Sequence, residues 1–198
     1  MRHSSTRARF GRFAIVSLPL FLAAGCAEPP AMPEAPRAVA IDQLSPTNSV
    51  GDDLGQLRSV TAKYHSFEFA TSPEGGFGPL TDCMVDPTLG GMGFHFAKAG
   101  AIDGTVEPLN PEVLLYEPEK QGQMKLVAVE YIVPYAFVPR SATPPTVFGQ
   151  NLLHNDTFQV WARHAWIWKN NPSGIFADWN PNVNCDAVAA SARMSHGN

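Results

Sequence analysis

The sequence predicts an α+β or mainly β domain, an antiparallel sheet curled as a small barrel or sandwich with one N-terminal amphipathic helix. Three observations carry this expectation. Leu126, Val127, Ala128, Val129, Tyr131, Ile132 and Val133 form an apolar run interrupted only by Glu130, as a strand covered on both faces would. Phe158, Val160, Ala162, His164, Trp166 and Trp168 alternate with Gln159, Trp161, Arg163, Ala165 and Ile167, which is the period of a strand. Leu54, Leu57, Val60 and Tyr64 recur at helical spacing.

Taken in chain order, the helix is expected over about 53–66, with Asp52 or Asp53 as its cap. His65 falls at its end, where a dipole or surface contact is the ordinary role. Gly90-Gly91-Met92-Gly93-Phe94-His95-Phe96 predicts a short strand reached through a glycine-rich bend. Val113 to Tyr116 is the next strand, and Pro118 to Gly122 the hairpin loop that returns the chain into the run at 126–133. The alternation from Phe158 to Trp168 is one long strand or two joined by a bend. Asn171-Pro172-Ser173-Gly174 and Asn180-Pro181 place proline at the second position of turns.

The chain before this domain reads as an address followed by a tether. Arg2, Arg7, Arg9 and Arg12 precede the apolar run from Phe13 to Ala24, a run too short to span a bilayer, which takes about 20 apolar residues. It closes as Leu22-Ala23-Ala24-Gly25-Cys26. Small residues before a cysteine admit a peptidase, and the thiol supplies the atom that takes diacylglycerol. This stretch resembles the lipobox of bacterial lipoproteins, with Leu22 four residues before the cysteine where the family usually has it three before. The resemblance implies a signal peptide over 1–25 and lipidation at Cys26. The competing expectation is an ordinary secretory signal cleaved near Ala23 or Ala24.

Residues 26–48 carry Pro29, Pro30, Pro33, Pro36 and Pro46, a composition of extended linkers rather than cores. The organisation expected is therefore a signal peptide at 1–25, a tether at 26–48, a globular domain at 49–187 and a frayed tail at 188–198. The address implies a cell-envelope location, membrane-anchored through the N-terminal lipid. Ala27 rather than aspartate after the cysteine points to the outer membrane if the host has two membranes.

Loss of residues 1–25 removes four arginines and no acid, taking the formal charge from −4 to −8. An acidic domain without a basic cluster is not a nucleic-acid binder. With Cys26 assigned to lipid, Cys83 and Cys185 remain as a pair in an oxidising compartment, and a disulfide between them is expected. Two separate buried thiols are the alternative.

No GxSxG, P-loop, GxGxxG or HExxH signature is present. What stands out is ionisable residues in apolar surroundings. Glu130 interrupts a face formed with Leu126, Ala128 and Ile132. His164 shares the face of Val160, Trp166 and Trp168; His95 lies between Phe94 and Phe96; Glu112 and Glu117 flank the second strand. Buried carboxylates need a partner, a proton or a metal. His95, Glu130 and His164, with Glu112 or Glu117, make a set suited to zinc, iron or manganese. As ligands, their side chains would have to meet within about 4 to 5 Å. The structural expectation is instead that Glu130 pairs with Arg163 or Lys125 and that both histidines are hydrogen-bonded core or rim residues.

The metal set is similar to that of cupin-type small barrels, except that Phe96 and Ala97 follow His95 where a cupin continues HxH towards a near glutamate. Trp161, Trp166, Trp168, Phe176 and Trp179 are either core or a platform for sugars or hydrophobic ligands, with Phe176 and Trp179 the more exposed pair. Gly91 to His95, Pro111 to Pro118, Val129-Glu130-Tyr131, His164 to Gly174 and Asn180 to Cys185 resemble a group of uncharacterised exported bacterial proteins. That resemblance implies secretion and a shared domain over roughly 80–185. Two functions follow as expectations: a tethered, non-enzymatic domain that binds a ligand or partner, or a metal-binding protein or metal-dependent enzyme built on the His and Glu set.

Overall fold

The computed structural model describes residues 49–186. Cys26, the expected signal peptide, the tether and the tail lie outside them. Helix α1 (Val50–Thr61) starts earlier than its periodicity suggests, because Ser49 rather than Asp52 or Asp53 is the cap. The Ser49 hydroxyl accepts the Asp52 N–H at 3.2 Å, and the Asp52 carboxylate accepts the Ser49 N–H at 3.3 Å. This reciprocal box satisfies two orphan donors. Asp52 and Asp53 then occupy the first turn, where the helix dipole favours acids. A 3₁₀ turn at Ala62–His65 and the short α2 (Phe67–Ala70) follow. Leu57 is fully buried, which stabilises the packed helix by roughly 1.5 to 3 kcal/mol.

The sheet contains six antiparallel strands in the order β1-β2-β3-β4-β8-β7. They are β1 (Gly78–Asp86), β2 (Gly90–Ala97), β3 (Val113–Pro118), β4 (Met124–Pro134), β7 (Leu153–Asn155) and β8 (Val160–Ala165). A small hairpin, β5 (Thr146–Val147) with β6 (Gln150–Asn151), stands apart. The edges β1 and β7 do not pair with each other, yet Thr81 of β1 and Leu153 of β7 line one cavity. The sheet is thus curled as a half-barrel, with that cavity on its concave side.

Strand β1 has no counterpart among the sequence expectations, and its geometry explains why. Register shifts against β2 fall between Pro79 and Thr81, between Thr81 and Met84, and between Met84 and Val85, so side-chain alternation is broken along its length. Pro79, which lacks an N–H, is tolerated because β1 is an edge.

A second irregularity reassigns a face. Leu115 pairs with Ala128 but Tyr116 pairs with Leu126, which leaves Val127 as an extra residue that inverts the alternation of β4. Leu126 therefore joins Val129, Tyr131 and Val133 in the core on the helix side, whereas Val127, Ala128 and Ile132 belong to the cluster on the opposite face. Glu130 keeps Ala128 and Ile132 as face neighbours and loses Leu126.

The bulge also ends the long alternation. The Val127 carbonyl accepts the N–H groups of Trp168 at 3.2 Å and Lys169 at 3.0 Å, so the chain leaves the ladder after Ala165. Trp166 stays with the concave-side cluster. Trp168 crosses to the helix side, where its indole N–H donates to Thr61 Oγ1 at 3.3 Å and its ring meets exposed His65 at 4.3 Å between centroids. Trp161 and Trp166 are core, while Phe176 is half-buried and stacks on Phe148 rather than standing free.

The C-terminal segment is fastened back onto β1, β2 and β3. Cys83 and Cys185 form a disulfide across a sequence separation of 102 residues. Gly91 and Asn180 exchange backbone hydrogen bonds at 3.0 Å each. Gly90 has φ +102°, and a Cβ there would sit 2.3 Å from the Asn180 carbonyl oxygen. Only glycine serves both demands, so the Gly-Gly-Met-Gly stretch is a place of close backbone approach. Glu117 completes the fastening by pairing with Lys169 and accepting the Asn184 N–H at 3.2 Å.

Candidate metal centre

Three strands deliver the central residues to the concave face. Glu130 of β4 and His164 of β8 are direct cross-strand partners, so their side chains project side by side. His95 of β2 reaches them across β3, whose Leu115 pairs with it and whose Val113 pairs with Glu130. All three are buried. His95 Nε2 lies 3.7 Å from Glu130 Oε2, and His164 Nε2 lies 3.7 Å from Glu130 Oε1. One donor atom from each residue falls within 4.8 Å of the others. This buried group can hold a metal ion.

The outer nitrogens face oxygen atoms. Thr81 Oγ1 is 2.9 Å from His95 Nδ1, as the β1–β2 pairing of these residues dictates. Asp178 Oδ1 stands 3.7 Å from His164 Nδ1, too far for a hydrogen bond. Both ring nitrogens of His164 are buried without a hydrogen-bond partner among the described residues. An unsatisfied buried polar group costs about 1 to 3 kcal/mol, which a partner at either nitrogen would offset.

Burial moves His95 and Glu130 towards their neutral forms. Burial, reinforced by His164 and opposed by a hydrogen bond with the Gly93 backbone, lowers the His95 pKa to about 3. Its imidazole is therefore neutral near pH 7, the form in which histidine ligates. Burial likewise raises the Glu130 carboxyl, with His164 opposing and Asp178 adding to the rise. The His164 ring beside Asp178 holds that carboxyl below its usual range despite partial burial.

The expected partners of Glu130 are engaged elsewhere. Lys125 pairs with Glu119 at 3.3 Å. Arg163 projects from the other face of β8 and donates to the carbonyls of Asn151 and Phe176. The odd-even parity of a strand puts Arg163 and His164 on opposite sides. Glu112 and Glu117, also considered as ligands, do not join the group. Glu112 accepts the Ile132 N–H at 3.2 Å, and Glu117 is held by Lys169 and Asn184.

Thr81 and Asp178 are the site residues that sequence patterns pass over. Thr81 belongs to the edge strand with three register shifts, and Asp178 lies in a turn-rich segment without periodicity. Only the aromatic pair around it, Phe176 and Trp179, draws notice to that segment.

Above the group opens a cavity of about 640 Å³, with Met92, Ile102, Ile132, Val160, Ala162 and Trp179 among its lining side chains. Among the described residues, no lysine or arginine lines it. Compared with known proteins, the chain matches no family model, no curated protein and no solved structure.

Proposed function

We propose that this chain is an exported, lipid-anchored protein whose domain binds one divalent ion of the zinc, iron or manganese kind through His95, Glu130 and His164. The observation that carries the metal reading is His164, a buried imidazole with two unsatisfied nitrogens, one turned to Glu130 and the other to a carboxylate. Two histidines and one carboxylate are a recurrent ligand set for these metals. Inner nitrogens on the metal and outer nitrogens on oxygen partners are the usual arrangement around it. Three protein ligands at the floor of a cavity leave coordination positions for a bound molecule, so metal and ligand binding belong to one site. The lipid anchor rests on the sequence around Cys26.

The test is elemental analysis of the mature chain, purified without an affinity tag, stripped with chelator and then offered zinc, iron or manganese. One equivalent is expected in the wild type and little in His95→Ala or His164→Ala. Zinc at a hundredfold excess over its dissociation constant should stabilise the fold by about 2.7 kcal/mol. A wild type that takes up none of the three metals refutes the reading.

A further inference from the structure

The cavity walls are informative about what binds there. The polar lining groups are the buried His95, Glu130 and His164 with Thr81, the half-exposed Asp178, and the segment His154 to Thr157. Between them the lining is chiefly aliphatic and aromatic. The mouth itself is apolar: Leu80 on edge β1, Leu153 on edge β7 and Phe158 in the β7–β8 turn are 48%, 45% and 48% exposed, and all three line the cavity. Exposed apolar side chains gathered around a concavity mark a binding site, whereas scattered ones do not. A volume of about 640 Å³ is that of a small-molecule pocket.

Charge narrows the class further. Among the described residues, no lysine or arginine lines the cavity to serve an anionic ligand as counter-ion. Glu130 and Asp178 line the same space, and Asp156, which also lines it, has its charge paired with Arg140, so the lining favours a head of low negative charge over a dianion such as a phosphate monoester. The Arg140 guanidinium is bound through two nitrogens to Asp156 at 2.7 and 2.9 Å, an exposed pair beside the turn bearing Phe158. Any negative charge on the ligand must therefore be small and must meet the metal.

We infer that the site takes an amphiphile with one neutral or monoanionic oxygen-donor head, which ligates the metal, and an apolar chain that fills the cavity and exits past Leu80, Leu153 and Phe158. This inference rests on the metal reading and adds the ligand to it.

Alkyl hydroxamates test it, since their heads are identical and only the tails differ. On the full mature chain loaded with zinc, octanohydroxamate should bind roughly a hundredfold or more tighter than acetohydroxamate, because each buried methylene adds about 0.8 kcal/mol. Calorimetry should show a negative heat-capacity change for the long probe, the mark of apolar burial. Leu153→Asp and Phe158→Asp, both at exposed positions, should weaken octanohydroxamate at least tenfold while zinc content and acetohydroxamate binding stay unchanged. Equal affinity for the two probes on a chain that holds zinc overturns the inference and leaves the metal reading standing. A chain that takes up no zinc overturns both.

Discussion

Glu130 and His164 face each other across the β4–β8 ladder, with Oε1 3.7 Å from Nε2. Neither finds a full hydrogen-bonding partner in the other, and the Nδ1 side of His164 looks onto Asp178 at the same distance. A chain Glu130, His164, Asp178 thus runs from the centre of the candidate site to the cavity wall. On the metal reading its outer member is an orienting group, and this gives the first prediction.

Asp178→Asn keeps the size of the side chain and removes its charge. If Glu130 and both histidines hold the ion, this change should weaken zinc binding by roughly 10- to 100-fold, the usual effect of altering a partner behind a ligating histidine. Competition with a chromophoric zinc chelator measures it. An unchanged affinity would assign Asp178 to the cavity wall alone.

Glu112 predicts a pH dependence. Burial raises its carboxyl from 4.5 to about 8, opposed by backbone hydrogen bonds and assisted by Asp103 and Glu107. Between those pH values the folded chain holds a proton that the unfolded chain releases, so this group lowers stability as pH rises, with a slope of up to about 1.4 kcal/mol per pH unit. Glu112→Gln cannot ionise and retains an acceptor for the Ile132 N–H. Urea unfolding at several pH values should show the variant losing less stability than the wild type between pH 5 and 8. Parallel profiles would mean that Glu112 does not titrate in this window.

The disulfide should be worth more than a local fastening. Cys83 and Cys185 close a loop of about a hundred residues, and replacing both with serine should cost about 2 to 5 kcal/mol. Chemical denaturation of the double variant gives the figure. Thiol counting on unfolded, unreduced mature protein should find neither cysteine free; two free thiols would refute the bond in the native protein.

For Cys26, metabolic labelling with a palmitate analogue should mark the wild type and spare Cys26→Ser. Equal labelling of the two would exclude this cysteine as the lipid attachment point and leave cleavage near Ala23 or Ala24 as the reading of the leader.

What the sequence by itself determined was local. The apolar run at 126–133, the alternation through β8 and the helical spacing of Leu54, Leu57, Val60 and Tyr64 lead to β4, β8 and α1 because burial periodicity is a property of neighbouring residues. The same patterns expose Glu130 and His164 as polar residues at core positions, and cysteine arithmetic pairs Cys83 with Cys185. Tertiary structure decided what spacing cannot encode. Strand order carries His95 across β3 to Glu130, and one extra residue at Val127 moves Leu126 to the other face and turns Trp168 towards the helix. The cross-strand register excludes Arg163 as a partner, and the folding-back of the C-terminal segment brings Asp178 to His164. Each of these depends on register and on contacts between distant segments, where a single-residue shift reverses every side chain.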